Sequence, residues 1–163
     1  MIKTIVLGIL ALIGVVLIAF VMIGRERSWE LIAGSPDTGP RDFSTDGRRA
    51  APNDALACSP GLCENTDFEI APVDEAPAAA IATLVKRLMN IDPLARKVDD
   101  GQDPTRARFV TYSPTLRFPD VIHLEATTLP NGQTGLMAYA AAQLGSSDMG
   151  KNRARLENLF SKP

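Results

Sequence analysis

The stretch VIHLEATTLPNGQTGLMAYAAAQ, residues 121–143, decides the fold, because it reads as two strands joined by a tight turn. Apolar and polar side chains alternate from Val121 to Thr127, which is typical of a strand with one buried face. Residues 130–132, Pro-Asn-Gly, form a strong turn signal, and residues 135–143 then return as a second strand. This second strand is rich in alanine, which favours strands only weakly. The stretch therefore predicts an antiparallel hairpin.

The segments before this hairpin extend it into a small α+β domain. Residues 108–112 predict a further strand, because the four residues after Arg108 are β-branched or aromatic. Residues 74–90 predict a helix capped by Asp74, with one apolar stripe formed by Ile81, Leu84, Val85 and Leu88. Because the helices do not alternate with the strands, we expect a small antiparallel sheet with two packed helices.

The second of these helices is predicted from about Met149 to Phe160, with Ser147 or Asp148 as its cap. Gly150 falls in the first turn, where glycine costs about 1 kcal/mol relative to alanine. One interpretation is structural: another backbone approaches Gly150 closely. The alternative is a site for an anion or a polar ligand at the helix N-terminus.

The chain begins with an uncharged apolar run from Thr4 to Gly24. As a helix it would be roughly 30 Å long, about the thickness of the hydrocarbon core of a bilayer. A cleaved signal peptide is the alternative, but its apolar region is usually shorter and ends in a small-residue cleavage site. We therefore interpret residues 1–27 as a transmembrane anchor.

Residues 34–65 are rich in proline and glycine and show neither a strand nor a helix period, so we interpret residues 28–66 as a connector. We predict an extended connector here, lying along its own domain or along a partner, and we place the α+β domain at residues 67–163. An irregular segment of this length is unusual inside a compact domain.

The connector contains both cysteines of the chain, Cys58 and Cys63. Their spacing does not fit a haem attachment site, and the single histidine, His123, is too far along the chain to suggest a zinc site. Three alternatives remain: a local disulfide, which we favour, two free thiols, or a metal or redox pair. A persistent disulfide would place the domain in an oxidising compartment such as the periplasm.

The charges flanking the apolar run indicate the opposite orientation. Lys3 lies on one side, and Arg25 and Arg27 lie on the other, so the positive-inside rule weakly favours a cytoplasmic domain. Long domains are translocated largely regardless of such charges. The two signals disagree, and the expected disulfide leads us to predict a periplasmic domain.

Composition and spacing argue against several functional classes. The formal net charge of −2, without a dense basic run, argues against nucleic-acid binding. Asp120 and His123 lie three residues apart on a strand, hence on opposite faces, which argues against a Ser-His-Asp triad. We therefore expect neither catalytic residues, nor a metal site, nor a cofactor.

Three motifs resemble the domain of unknown function 1499 family. Residues 145–155 resemble its closing signature, G-x-S-D-x-G-x-N-x-x-R, and residues 117–120 resemble its R-F-P-D segment. Residues 52–56, followed by the two cysteines, are similar to the N-terminal segment of proteobacterial members. The resemblance covers about residues 42 to 160. It implies a fold and a membrane-anchored or secreted location, and it implies no chemistry.

The resemblance also directs attention to one polar cluster. Asp120, Asp148, Asn152 and Arg155 fall on motif positions and are candidates for a ligand site or a structural cluster. One departure concerns this cluster: many members carry Ser-Arg where this chain has Ala142-Gln143. A role of that arginine in pairing Asp148 or in binding an anion is therefore not expected in this chain.

Together these features predict a single-pass protein of a bacterial inner membrane. Its partners would be the lipid bilayer and a membrane protein complex, with an energy-transducing complex as one option. We expect a non-enzymatic accessory or assembly subunit that acts through protein contacts. The alternative is a membrane-tethered domain that binds a small molecule or a lipid, with an apolar pocket near the last helix and Asp148, Asn152 or Arg155 at its mouth.

Overall fold

The first helix, α1, stands apart from the rest of the molecule. A computed structural model describes residues 2–161, and in it α1 spans Ile2–Ile23 without a single buried residue. The helix is long and apolar enough to cross a membrane. The predicted apolar helix is therefore confirmed, whereas the ends of the predicted first and last segments, residue 1 and residues 162–163, lie outside the described residues.

A short second helix, α2 (Arg25–Ala33), connects α1 to the domain. Gly24 separates the two helices with φ of 95°, a left-handed conformation that glycine adopts without a steric cost. The ring of Trp29 lies 5.3 Å from that of Phe20 on α1 and 4.7 Å from that of Phe118 in the domain. Its Nε1 donates a hydrogen bond to the Leu116 carbonyl at 2.7 Å. Trp29 therefore joins α1 to the domain.

The domain is built on a six-stranded sheet with the strand order β2-β1-β6-β5-β4-β3. The predicted hairpin forms its centre, with β5 and β6 paired from Asp120↔Ala142 to Thr128↔Thr134. The predicted α+β class is confirmed, but the sheet is mixed rather than antiparallel, because β1 and β2 run parallel. The strands are β1 (Asp54–Cys58), β2 (Phe68–Glu69), β3 (Arg96–Lys97), β4 (Arg106–Tyr112), β5 (Pro119–Thr128) and β6 (Thr134–Ala142).

The alanines of β6 are explained by its central position. All nine of its residues are buried, because the sheet is covered on both faces. Ala138 and Ala140 belong to the core beneath the two helices, whereas Tyr139 and Ala141 belong to the core on the opposite face. Small side chains allow the layers on both faces to approach this strand closely.

Helix α3 (Pro77–Ile91) buries the predicted stripe, with Ile81, Leu84 and Leu88 in the core. It begins three residues later than predicted. Pro77 holds the preceding residue, Ala76, in an extended conformation, so the helix starts at the proline.

Helix α4 spans Lys151–Phe160 and also begins later than predicted. Met149 and Gly150 both have positive φ, 56° and 76°, so the chain turns before the helix starts. The expected close approach to Gly150 is wrong, because a Cβ at this position would meet nothing within 4 Å. The glycine is required by its left-handed conformation.

The predicted connector, residues 28–66, is wrong in two respects. Residues 28–33 belong to α2. Residues 54–58 form β1, which pairs with β6 over five residues in the middle of the sheet. We call residues 35–49 the strap: they contain no strand and lie along the outer face of the sheet, opposite α3 and α4. The segment predicted to lie along a surface thus lies along its own domain.

Candidate functional site

The four residues of the predicted polar cluster come together where α4 meets the start of β5. The Arg155 Nη1 atom lies 2.9 Å from Asp120 Oδ2 and 2.5 Å from Asn152 Oδ1. Its Nε atom lies 3.5 Å from Asp92 Oδ2, a carboxylate that also accepts a hydrogen bond from Thr111 at 2.7 Å. Burial raises the pKa of Asp120, and the Arg155 charge opposes this increase.

Asp148 and Asn152 connect this cluster to the backbone. Asp148 accepts hydrogen bonds from the backbone N–H groups of Gly150 and Asn152, at 2.9 and 2.8 Å, and so satisfies the start of α4. The Asn152 side chain is completely buried, and its Nδ2 donates to the Asn53 carbonyl at 3.4 Å. The cluster therefore fastens α4 to the sheet. A ligand role for these residues stays a prediction, and Asn152 does not lie at the mouth of a pocket.

The two cysteines form a disulfide. Cys58 ends β1, Cys63 lies in the following turn, and their Cα atoms are 6.0 Å apart. Leu62 closes the turn by donating to the Ser59 carbonyl at 3.2 Å. The bond holds the turn against the outer-face core, to which both cysteines belong.

The structure also reveals a site that the sequence did not predict, beneath the strap. Arg108 on β4 donates from Nε and Nη2 to the two carboxylate oxygens of Asp37, at 2.6 and 3.1 Å. The guanidinium of Arg41 lies 3.7 Å from the centre of the Tyr139 ring. Gln143 donates to the Pro36 carbonyl at 2.5 Å. These contacts cross the sheet and hold the strap in place.

His123 lies under the strap with only 6 % of its surface exposed. It faces away from Asp120, as the strand alternation predicts. Burial, followed by the charges of Arg41 and Arg108, lowers the pKa of His123 to about 4. Burial and the Asp54 carboxylate raise the pKa of Tyr139 to about 12. Both rings are therefore neutral near pH 7.

A cleft of about 430 Å³, which we call the strap cleft, opens beside His123. Charges of both signs surround it, and Arg41 has a buried Nε atom without a hydrogen-bond partner. Such an arrangement can hold a small polar molecule beside a neutral imidazole. Its charged lining residues are Arg41, Arg106, Arg108, Asp99, Asp100, Asp103 and Glu125.

Sequence reasoning missed this site because its contacts are not local. Asp37 and Arg108 are 71 residues apart, and nothing in the period of the strap indicates which face it covers. The one available signal is the polar face of β5, where His123 alternates with core residues. Among residues 2–161, no three His, Cys, Asp or Glu side chains form a group suited to a metal ion.

Comparison with known proteins agrees with the resemblance seen in the motifs. Residues 36–162 match the model of a family described as a protein of unknown function, DUF1499. The match begins within the strap and includes β1, so the family domain extends further towards the N-terminus than the predicted boundary at residue 67. No curated protein and no solved structure matches the chain.

Proposed function

Because the chain belongs to the DUF1499 family, whose description assigns no activity, we propose from its structure that it is a single-pass membrane-anchored accessory or assembly subunit. It acts without catalysis, through contacts with a membrane protein complex. One observation carries this proposal: Trp29 joins an apolar helix that has no buried residue to a folded domain.

The contacts of Trp29 support a positioning role rather than a flexible tether. Its ring touches Phe20 in the last turns of α1 and Phe118 next to β5, and its N–H is bound to the β4–β5 turn. Arg25 adds a second hydrogen bond to this turn, to the Thr115 carbonyl. The domain is therefore held at a defined position relative to α1, as a subunit that docks on a neighbour in the membrane requires.

The polar groups of the domain also favour this proposal. Arg155 is engaged by Asp120 and Asp92, and Asp148 is engaged by the backbone of α4. These groups stabilise the fold, which leaves the surface and α1 as the parts that meet partners. The disulfide supports a periplasmic domain at a bacterial inner membrane, because such bonds persist in oxidising compartments.

Purification of the full chain with a C-terminal tag in a mild detergent tests the proposal. We expect a complex larger than the monomer on native gels, with other membrane subunits present in constant ratio. Gly8 and Gly14 on α1 have no neighbour within 4 Å, so a leucine there would obstruct a partner helix without disturbing the domain. We expect Gly8→Leu and Gly14→Leu, made singly, to reduce the amount of this complex. The control variant Val16→Leu should leave the amount unchanged. A tagged chain that migrates alone as a monomer contradicts the proposal.

The strap cleft favours a second candidate, a membrane-tethered domain that binds a small molecule. The cleft lies on the face of the sheet opposite α4, not near the last helix as the sequence suggested. Mass spectrometry of the protein released from native membranes under non-denaturing conditions tests this candidate. It predicts a bound small molecule that is lost from an Arg41→Gln variant and retained by Arg153→Gln, a change at an exposed position on α4.

A further inference from the structure

A second concavity lies where the anchor helix meets the domain. We call it the exit concavity; it has a volume of about 790 Å³. Val21, from the last turn of α1, and Gly24, between α1 and α2, form one part of its lining, and Tyr112, from the end of β4, forms another. Because α1 is apolar up to Ile23, the concavity lies at the level where the hydrocarbon core of a bilayer gives way to the headgroups.

The charge of the exit concavity is predominantly positive. Four arginines line it against two glutamates, Glu26 and Glu30, which leaves two positive charges in excess. Glu26 is shared, since one of its oxygens lies 2.8 Å from Arg96 and the other 4.0 Å from Arg117. The single negative charge of Glu26 is therefore shared between two arginines. The four arginines are Arg25, Arg27, Arg96 and Arg117.

Arg117 is the most unusual of these residues. Its Nη1 atom is buried and has no hydrogen-bond partner, although an unpaired buried donor costs free energy. Its backbone has φ of 58°, a conformation that non-glycine residues rarely adopt and that is held by a bond from its N–H to the Ser113 carbonyl. A guanidinium with unused donors matches the oxygens of a phosphate group.

The apolar surface around this end of the domain is consistent with contact with lipid. Among residues 24–161, the large apolar side chains that are exposed lie on α2, near the end of α3, in the turn between β4 and β5, and just before α4, and these segments are at the α1 end of the sheet. β5 starts at this end, while β4, β6 and α3 finish there, as the pairing of Asp120 with Ala142 and the Thr111–Asp92 contact show. These exposed side chains are Leu31, Ile32, Met89, Ile91, Leu116 and Met149.

We propose that the exit concavity binds the phosphate of an anionic phospholipid headgroup. The arginines supply the charge, Arg117 supplies a donor without a partner, and the end of α1 places the site at headgroup depth. The inference rests on the proposed function in one respect, since it requires α1 to span the bilayer. The bound lipid would fix the orientation of the domain on the membrane.

Native mass spectrometry tests the proposal on the full chain in micelles that contain equal parts of phosphatidylglycerol and phosphatidylcholine. We expect retention of phosphatidylglycerol over phosphatidylcholine. Arg27→Gln combined with Arg117→Gln should reduce the retention roughly fivefold for each arginine removed. Arg106→Gln, at the opposite end of β4, is the matched control and should leave the retention unchanged. If the double variant does not fold, the single variant Arg96→Gln is measured in its place.

Two further measurements distinguish a failure of the proposed function from a failure of the lipid site. Flotation with vesicles after an alkaline wash reports whether α1 inserts, and a chain that does not float contradicts the proposed function. A chain that floats but retains both lipids equally overturns the lipid site alone. Competition by millimolar inorganic phosphate that removes the bound lipid also overturns it, because the site would then accept free phosphate.

Discussion

Arg108 on β4 donates hydrogen bonds to both carboxylate oxygens of Asp37 and thereby holds the strap over His123. Burial is the largest cause of the low pKa of His123, whereas the Asp37 carboxylate raises this pKa by its charge. Replacing Asp37 therefore has two opposing effects. Loosening the strap hydrates the imidazole and raises the pKa, and removing the negative charge lowers it.

We expect hydration to dominate, so that Asp37→Asn moves the pKa of His123 upward from about 4 towards the ordinary value of 6.5. Because His123 is the single histidine of the chain, its Cε1 proton can be followed by NMR without an assignment. Asp103→Asn, an exposed carboxylate on the rim of the strap cleft, is the control. A pKa that stays near 4 or falls in Asp37→Asn would show that the strap is held without this ion pair.

The same histidine predicts how stability depends on pH. Its pKa is about 4 in the folded chain, below the ordinary value of 6.5 for a hydrated imidazole, so the unfolded chain takes up the proton first as the pH falls. The contribution of His123 to the free energy of unfolding is complete above pH 6.5 and is lost between pH 6.5 and about 4. Its full size is about 3 kcal/mol.

Urea unfolding of the full chain in mild-detergent micelles, repeated across this pH range, measures the loss. His123→Gln lacks this loss, whereas Asp120, whose pKa is raised, contributes equally to both proteins, so the difference between the two proteins isolates the histidine. Asp37 and Asp54 have lowered pKa values, so their losses occur at lower pH than that of His123. Equal slopes for both proteins between pH 6.5 and 4 would contradict the burial of His123.

The ion pair between Asp120 and Arg155 offers a test of what burial adds to a salt bridge. Its Nη1–Oδ2 distance is 2.9 Å, and the two side chains are 11 % and 16 % exposed. The pair between Arg153 and Glu157 on α4 has the same 2.9 Å distance but is half exposed. The two pairs therefore differ in environment rather than in length.

Double-mutant cycles with Asp120→Asn and Arg155→Gln should give a coupling of about 1–3 kcal/mol in the free energy of unfolding. The cycle at Arg153 and Glu157 should give less than about 0.5 kcal/mol. Asp92 remains near Arg155 in the Asp120→Asn variant, so the single substitution costs less than a complete loss of partners. Comparable coupling free energies in the two cycles would contradict the structural role assigned to Asp120.

The hairpin and α3 could be predicted because their signals are local. Alternation along β5 separates Ile122 and Leu124 from His123, and the i, i+3, i+4 spacing of α3 selects its buried face. The short strand β1 carries no such signal, since four of its five residues are buried and apolar side chains occupy both faces. Its place in the sheet is set by its pairing with β6, more than 75 residues away.

The start of α4 shows a different limit of sequence reasoning. The helix was expected to begin at Met149, and two left-handed residues delay it to Lys151. Met149 is consequently 90 % exposed, and Asn152, Leu156 and Leu159 face the core. The strap cleft is a further case, because long-range ion pairs such as Asp37–Arg108 leave no periodic trace in the sequence.

The disulfide provides the last prediction, because it connects stability to compartment. Cys58 is 1 % exposed at the end of β1, and Cys63 lies five residues later in a short turn. Closing so short a loop stabilises the folded chain by about 2 kcal/mol, mainly by restricting the unfolded chain. We expect the double variant Cys58→Ala, Cys63→Ala to lose about this much in urea unfolding, and reduction of the wild type to have the same effect. The full chain, purified from membranes and alkylated without reduction, should keep its unmodified mass. Addition of two alkyl groups would show that both thiols are free, and the argument for a periplasmic domain would then fall with the bond on which it rests.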